Sequence, residues 1–422
     1  MRVRPRVPAP LRALGAALGL PVTEVTRFWY RERQAIRRGL AALSLGLLAT
    51  LVAGIVLGSS TQRLESLPGL LVLIPAAIGM RGNNFGALAA RLSTGIHIGE
   101  FSIELTRRNF FGRQIEAATV LTFTTTAEIG VLAWFIGRAF GIDADLADLM
   151  VISVVGGTLS SVVLLVVTIL LARQAYARGW NMDDVGAPTI TATGDLVTVP
   201  MLLLASLLVG IAILTPVLAG ASMAVGAAAL WYGWRHPDHN VRRIVRESIF
   251  VLTLAATVDI FAGTVVEARA EEFFRVPALL VLIPPFIAAS GSLGGILASR
   301  FSSELHLGLL EPRPLPGKTA GLDISMTFLF ATTVFTGVAV VTRIAAALLG
   351  LATPTLPQLL GITLFGGAIA FVLLSAVAYS AATATYRFGL DPDNHGIPIV
   401  TATMDLLGVL CLMVGIAAVL GG

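Results

Sequence analysis

Long apolar runs alternate with short polar segments from about residue 39 to the end of the chain. A helix needs about 20 apolar residues to cross a hydrocarbon core of roughly 30 Å, and eleven runs reach that length. The run 196–234 is long enough to hold two helices, and we predict its turn at Thr215–Pro216. The pattern predicts an all-α polytopic membrane protein. The predicted spans lie near 39–58, 68–90, 116–137, 149–171, 189–212, 214–234, 248–266, 277–299, 323–346, 357–379 and 398–420.

Composition supports this class of protein. The chain of 422 residues is 56% hydrophobic and 13% charged, whereas soluble domains carry about 25% charged residues. Its single cysteine, Cys411, lies in an apolar run, which excludes a disulfide framework and a cysteine metal site. A soluble enzyme or a nucleic-acid-binding domain is therefore not expected.

The positions of arginine and lysine predict the orientation. With the N-terminus in the cytoplasm, 23 of the 29 basic residues fall on cytoplasmic segments and 5 on outside loops, as the positive-inside rule requires. We expect a protein of the cell (inner) membrane with its C-terminus outside. The segment 1–38 holds nine arginines and is expected to form a cytoplasmic amphipathic helix or a disordered arm.

An internal repeat covers most of the chain. The block 67–75 recurs at 276–284 with an offset of 209, and the block 187–195 recurs at 397–405 with an offset of 210. Each copy holds five spans, so the unmatched sixth span restores the orientation of the second copy. We predict two parallel repeats about a pseudo-twofold axis along the membrane normal, functional as a monomeric pseudo-dimer. The predicted divisions are 1–38 (basic segment), 39–212 (first repeat), 213–240 (linking helix and loop) and 241–422 (second repeat).

Two acids occupy equivalent places in the repeats. Asp195 and Asp405 each follow a proline by seven residues, and Thr191 and Thr401 precede them by one helical turn on the same face. Two carboxylates that meet on the axis need a cation between them, and carboxylates with few other ligands suit hydrated Mg²⁺. The alternative is that each aspartate only hydrogen-bonds a neighbouring helix.

The second span is interrupted by polar residues. Arg81-Gly82-Asn83-Asn84 breaks its apolar pattern, and such interruptions occur where a helix lines a cavity or packs closely on another helix. We predict that Asn83 and Asn84 line the pore and contact a hydrated ion. Close packing through the glycines is the alternative.

Two further acids lie inside spans without a symmetric mate. Glu128 aligns with Phe335 and Asp259 aligns with Thr50 in the repeat. Intramembrane acids are functional candidates by default, so both are candidate sites for a coupling ion such as Na⁺ or H⁺.

These motifs resemble those of the MgtE / solute carrier 41 family of divalent-cation transporters. The matching segments are Pro75–Thr94, Pro284–Ser302 and two Asp-x-x-Gly-x-Pro-x-x-Thr-Ala-Thr-x-Asp blocks at 183–195 and 393–405. The resemblance implies five helices per unit, a twofold pair around a central cation pore, and pore ligands at Asp195 and Asp405. The chain resembles the fused tandem form of the family, which lacks the cytoplasmic sensor domain of MgtE proteins. The second copy lacks the asparagine of the Gly-Asn motif.

The sequence therefore predicts transport of divalent cations, with Mg²⁺ as the expected ion, through a central pore between the repeats. A Na⁺- or H⁺-coupled Mg²⁺ exchanger is the alternative within transport. An anion or organic-solute carrier that uses Arg81, and a non-transporting membrane scaffold, are the readings from other classes. We expect no enzymatic activity, no prosthetic group, no nucleic-acid partner, and the lipid bilayer and Mg²⁺ as the interacting species.

Overall fold

The computed structural model describes residues 20–102, 106, 109–179, 182–389 and 396–421, without the side chains of 183–185, 187 and 188. Within these residues the chain forms helices and connecting turns. The helices are α1 (Val22–Arg31), α2 (Arg33–Ser59), α3 (Thr61–Glu65), α4 (Leu70–His97), α5 (Phe110–Ala139), α6 (Leu146–Arg178, with a π-helical turn at Ile152–Gly156), α7 (Met182–Ser206), α8 (Leu214–Trp234), α9 (His239–Glu267), α10 (Ala270–Arg275), α11 (Ala278–His306), α12 (Lys318–Leu348), α13 (Leu356–Phe388) and α14 (Ile397–Leu420).

The multi-pass prediction is confirmed. Ten helices of the described part are long and apolar enough to cross a membrane. Each of the eleven predicted spans corresponds to a helix, and α4 is the one that falls outside the ten. Its 28 residues extend about 42 Å, so its length suffices, but the polar segment 81–84 lowers its hydropathy.

The predicted position of the turn in 196–234 is wrong by a few residues. Helix α7 ends at Ser206 and α8 begins at Leu214, and Gly210 takes a left-handed φ of 83° between them. The Thr215 hydroxyl accepts a hydrogen bond from the Ile211 amide at 3.1 Å. Thr215 therefore lies in the first turn of α8 and its hydroxyl joins that turn to the preceding loop, and Pro216 is accommodated in the same helical turn, where its missing N–H costs nothing.

The basic N-terminal segment is helical where it is described. Helix α1 buries Val25 and Phe28 and exposes Arg27 and Arg31, so its residues divide by polarity as an amphipathic helix does. Residues 1–19 lie outside the described part.

The helices form two compact units that cut across the predicted repeats. One consists of Leu48–Pro285 with Val341–Thr355, and the other of Phe286–Val340 and Leu356–Gly422 with the residues up to Leu47. The boundaries of the repeats remain a prediction from the sequence.

The first helix of each predicted repeat packs against the second helix of the other repeat. Gly54 of α2 faces the carbonyl of Val281 on α11, and Gly263 of α9 faces the carbonyl of Val72 on α4. Neither glycine leaves room for a Cβ, so both pairs of backbones are in direct contact. The two crossings obey the offset of 209, which shows that the exchange is part of the repeated architecture.

The start of α2 packs in the other unit. A Cβ at Gly39 would lie 2.8 Å from the ring of Phe330 on α12, and one at Gly337 would lie 3.1 Å from Leu47. Helices α13 and α14 are also closely packed, since a Cβ at Gly366 would lie 2.7 Å from the Cys411 carbonyl oxygen. Small residues thus allow the helices of this unit to approach closely.

Candidate functional site

Asp195 lies in the interior of α7. The residue is 8% exposed, and no described side chain or backbone amide donates a hydrogen bond to its carboxylate. Thr191, one turn earlier, is exposed, so the two residues differ in environment although they share a face of the helix. A buried carboxylate without donors is costly when ionised, which marks this position as a candidate for binding a cation.

Asp405 occupies the equivalent place on α14 and is half-buried. A Cβ at Gly291 of α11 would lie 3.2 Å from its Oδ1, and a Cβ at Gly295 would lie 3.6 Å from the Thr401 methyl carbon. The Thr401 hydroxyl donates to the Pro398 carbonyl at 3.1 Å. The predicted threonine–aspartate face of α14 therefore lies against two glycines of α11.

The equivalent glycines of α4 have a different environment. No atom of the described residues outside its own helix backbone and chain neighbours lies within 4 Å of a Cβ built at Gly82 or Gly86. The Asp195 carboxylate thus does not close on Gly82 as Asp405 closes on Gly291. The repeat places the same residue types in both helices, but the space beside them is open only at α4.

The two predicted asparagine ligands differ in their burial and in their contacts. The Asn84 side-chain amide is buried and donates to the Ala118 carbonyl and the Thr122 hydroxyl of α5, both at 3.2 Å. Its Oδ1 has no partner among the described residues. Asn83 is only half-buried. The amide of Asn84 therefore ties α4 to α5, and Asn83 is the more accessible of the two.

Arg81 is 3% exposed and belongs to the interface of α4 with α5 and α6. It donates to the Ala77 carbonyl one turn earlier in its own helix. Its Nη2 would be 2.6 Å from a Cβ at Gly157, a position that also adjoins Thr126. The guanidinium Nε has no partner in the described part of the chain.

Helix α9 holds Asp259, which packs against α4, and Thr253, which lies near Glu128 of α5. Asp259 is fully buried, and its Oδ2 occupies the space that a Cβ at Gly79 would need. The Thr253 side chain lies within hydrogen-bonding reach of the Glu128 carboxylate on α5. Glu267, at the end of α9, accepts hydrogen bonds from Gly69 and Leu71 at the start of α4, at 3.0 and 3.1 Å. Both lone acids thus belong to the packing of α4, α5 and α9.

Sequence reasoning missed two matched pairs near the ends of the second spans. Arg91 donates to Gln114 at 2.8 Å, and Arg300 donates to Asp323 at the same distance. Both partners obey the offset of 209, so extending the alignment to charged and amide residues would have found them.

No group of three or more His, Cys, Asp or Glu side chains that could hold a metal ion occurs among the described residues. Among these residues no more than two such side chains therefore converge as metal ligands do. A dehydrated structural metal site needs more ligands, whereas one or two carboxylates suffice for an ion that keeps its water.

The many long apolar helices of the described part define a multi-pass α-helical membrane protein with carboxylates buried inside its helices. The chain belongs to the MgtE family of divalent cation transporters, whose family model matches residues 74–205 and 283–415. Both matched segments lie inside the predicted repeats.

Relatives cover most of the chain. It is 25% identical over 392 residues to rat solute carrier family 41 member 3. This match covers 86% of the chain and 83% of the relative. The mouse member 3 is 25% identical over 81% of this chain and 74% of its own length. Human solute carrier family 41 member 2 is 25% identical over 81% of this chain and 63% of its own length. No solved structure matches the chain.

Proposed function

We propose that this protein transports Mg²⁺ across the membrane and that Asp195 and Asp405 are the carboxylates that bind the ion. The observation that carries the proposal is the buried Asp195 carboxylate, which receives no hydrogen bond from the described residues. An ionised carboxylate is stable at such a position when a cation compensates it. The repeat in the sequence supplies Asp405 as its equivalent.

The supporting groups act through water. Mg²⁺ dehydrates reluctantly and usually keeps several waters beside one or two carboxylates. In this proposal Thr191, Thr401 and Asn83 contact the hydration shell, since hydroxyl and amide oxygens suit a hard cation. Asn84 supports the same site by fixing α4 on α5 and by its remaining acceptor, Oδ1.

We propose a central pore between the two repeats, formed by one chain as a pseudo-dimer. The chain lies in the cell (inner) membrane in this proposal, with the N-terminus in the cytoplasm and the C-terminus outside, because 23 basic residues then face the cytoplasm. An ion gradient drives the transport.

A coupled exchange of Mg²⁺ for Na⁺ or H⁺ is the second candidate function. It is favoured by Glu128 and Asp259, because both acids belong to the packing of one helix, α9, and a coupling ion needs a carboxylate of its own. Sodium dependence of Mg²⁺ flux separates this function from a channel.

The test uses the purified full chain in proteoliposomes with a Mg²⁺-sensitive dye inside. We expect Asp195→Asn with Asp405→Asn to lower the Mg²⁺ flux at least about thirtyfold, which corresponds to a loss of roughly 2 kcal/mol of ion binding. Asp143→Asn is the matched control, since its side chain is 97% exposed and carries the same charge change. A sodium gradient is applied in parallel.

Equal flux in the double variant and the wild type would contradict the proposed site. If Arg81→Ala then abolished the transport of an anion while the double variant retained it, an anion carrier would be the better description. No flux of any ion in the folded wild type would favour a membrane scaffold.

A further inference from the structure

A buried ion pair lies where α11 ends and α12 begins. Arg300 donates from Nε to Oδ1 of Asp323 at 2.8 Å, and a second guanidinium nitrogen lies 2.5 Å from the same oxygen. The Asp323 side chain is 1% exposed, and that of Arg300 is 27% exposed. This pair satisfies only one of the two carboxylate oxygens of Asp323.

A second acid lies beside Asp323. Asp323 and Glu304 lie within hydrogen-bonding distance of each other through their side chains. Asp323 Oδ2 and Glu304 Oε2 are both buried, and neither has a donor among the described residues. An ionised carboxylate only accepts hydrogen bonds, so two such groups in contact repel unless one of them carries a proton.

We propose that Glu304 and Asp323 bind one proton between them and so form a proton-binding site that only the second repeat contains. The charges then balance, because one guanidinium and one shared proton offset two carboxylates. A divalent cation fits the two buried carboxylates less well, since with Arg300 it would bring three positive charges to two negative ones, and the third acid, Glu32, is half-exposed and screened by water.

The first repeat has the same basic partner without the second acid. Arg91 pairs with the neutral Gln114, and the offset of 209 places Gly95 where the second repeat has Glu304. A carboxamide keeps its own protons over the whole physiological range, so Gln114 and Gly95 offer no exchangeable proton at the equivalent place of the first repeat, as far as it is described.

The N-terminal helix lies next to this proton site. Trp29 of α1 donates from Nε1 to the Ser325 hydroxyl at 3.1 Å, two residues after Asp323. Glu32, directly after α1, acts electrostatically on Glu304, together with Arg300 and Asp323. The ring of the neighbouring His306 has other partners, since its Nδ1 lies 2.8 Å from the Ser302 carbonyl oxygen and the ring packs edge-on against Tyr386. Loss of the proton would place a new negative charge beside Glu32 and weaken the docking of α1.

The experiment is infrared difference spectroscopy of the full chain in vesicles between acidic and alkaline buffers, without Mg²⁺. We expect a C=O stretching band of a protonated carboxyl group that Glu304→Gln removes. Glu311→Gln is the matched control in the loop between α11 and α12, since its side chain is 70% exposed, and it should keep the band. This readout involves no transport, so it stands or falls independently of the proposed function.

Two outcomes overturn the proposal. One is a spectrum of Glu304→Gln that equals that of the wild type, and the other is a band that Mg²⁺ removes at constant pH, which would indicate a divalent-cation site. Glu32→Gln gives a second check in case Glu304→Gln does not fold. Removal of the neighbouring negative charge should move the midpoint of the band to lower pH, and an unchanged or raised midpoint contradicts the proposal.

Discussion

Helix α4 of the first repeat and helix α11 of the second carry glycines at matching positions, yet their surroundings differ. Gly291 and Gly295 lie against Asp405 and Thr401, whereas the equivalent positions of α4 adjoin open space. The paired arginines differ too, since Arg300 meets an acid and Arg91 an amide. The repeats thus retain the backbone contacts that build the fold and differ in the side chains that surround the candidate ion path.

The lone acids extend this contrast. Asp259 is buried on α9, and the equivalent Thr50 on α2 is buried as well. The same place in the fold therefore holds a carboxylate in one repeat and a hydroxyl in the other. The backbone contacts that the repeats share and the buried side chains in which they differ can therefore be tested by separate experiments.

The largest effect is expected at the two crossings. Gly54→Ala and Gly263→Ala place a Cβ against a carbonyl of the facing helix, so the backbones must separate. We expect each variant to destabilise by about 3 kcal/mol or more and to lower the yield of monodisperse protein. Gly46→Ala is the control on α2, because no described atom beyond its own helix backbone lies near its Cβ position. A wild-type melting temperature for one crossing variant alone would break the equivalence of the repeats.

The next largest difference between the repeats is expected in the stability cost of removing each paired arginine. Arg300→Ala leaves the buried Asp323 carboxylate without its guanidinium, which costs about 3–5 kcal/mol. Arg91→Ala removes a single hydrogen bond to a neutral amide, which costs about 1–2 kcal/mol. Thermal unfolding of both variants in detergent measures the difference. Equal losses would show that Asp323 gains no more from its partner than Gln114 does.

A smaller contrast is expected between Gly291→Ala and Gly82→Ala. The first places a methyl group 3.2 Å from the Asp405 carboxylate, and the second points into open space. We expect Gly291→Ala to reduce Mg²⁺ flux several-fold and Gly82→Ala to change it by less than about twofold, a difference of roughly 1 kcal/mol. Flux is measured in proteoliposomes at matched protein content. A larger loss in Gly82→Ala would place the ion on the open side of α4.

The smallest effect concerns the start of α9, which has a polar cap. The pKa of Asp238 is lowered overall. Its slight burial acts to raise the pKa, but hydrogen bonds from the Val241 and Asn240 amides and from Arg113 outweigh that effect. A lowered pKa gives stability that is present above the unfolded value of about 3.9 and is lost as the pH falls through the folded value.

We therefore expect Asp238→Ala to cost about 1 kcal/mol at neutral pH and progressively less below about pH 4. Melting temperatures of the variant and the wild type across this range check the prediction. A difference that grows on acidification would contradict the sign, and Asp143→Asn, at an exposed loop position, provides the charge control.

The sequence predicted the helices well because each apolar run is as long as a membrane is thick. It also found the repeat, since a shared offset needs no structure. The turn before Thr215 was misplaced because threonine and proline serve equally well in a turn and in a first helical turn. The orientation of Asn84 toward α5 was missed, since the pattern of polar and apolar residues along α4 does not show which neighbouring helix its polar face contacts.

The exchange of the first helices was missed for a related reason. Gly54 and Gly263 are visible in the sequence, but nothing in their spacing indicates that each contacts the other repeat. The acid pair Glu304–Asp323 was missed because the two residues flank a polar loop and so resemble exposed loop acids. Burial at such an end becomes apparent only when the helices around it are in place.

The exchange of the first helices also constrains how the protein is made. Helix α2 contacts Val281 and Phe330, which are synthesised more than two hundred residues after it. During that interval α2 must remain in the bilayer without its final neighbours. A chain that stops after the first repeat would therefore present an unpaired leading helix to the quality-control proteases of the membrane, so fusion of the two repeats lets one translation event supply both partners.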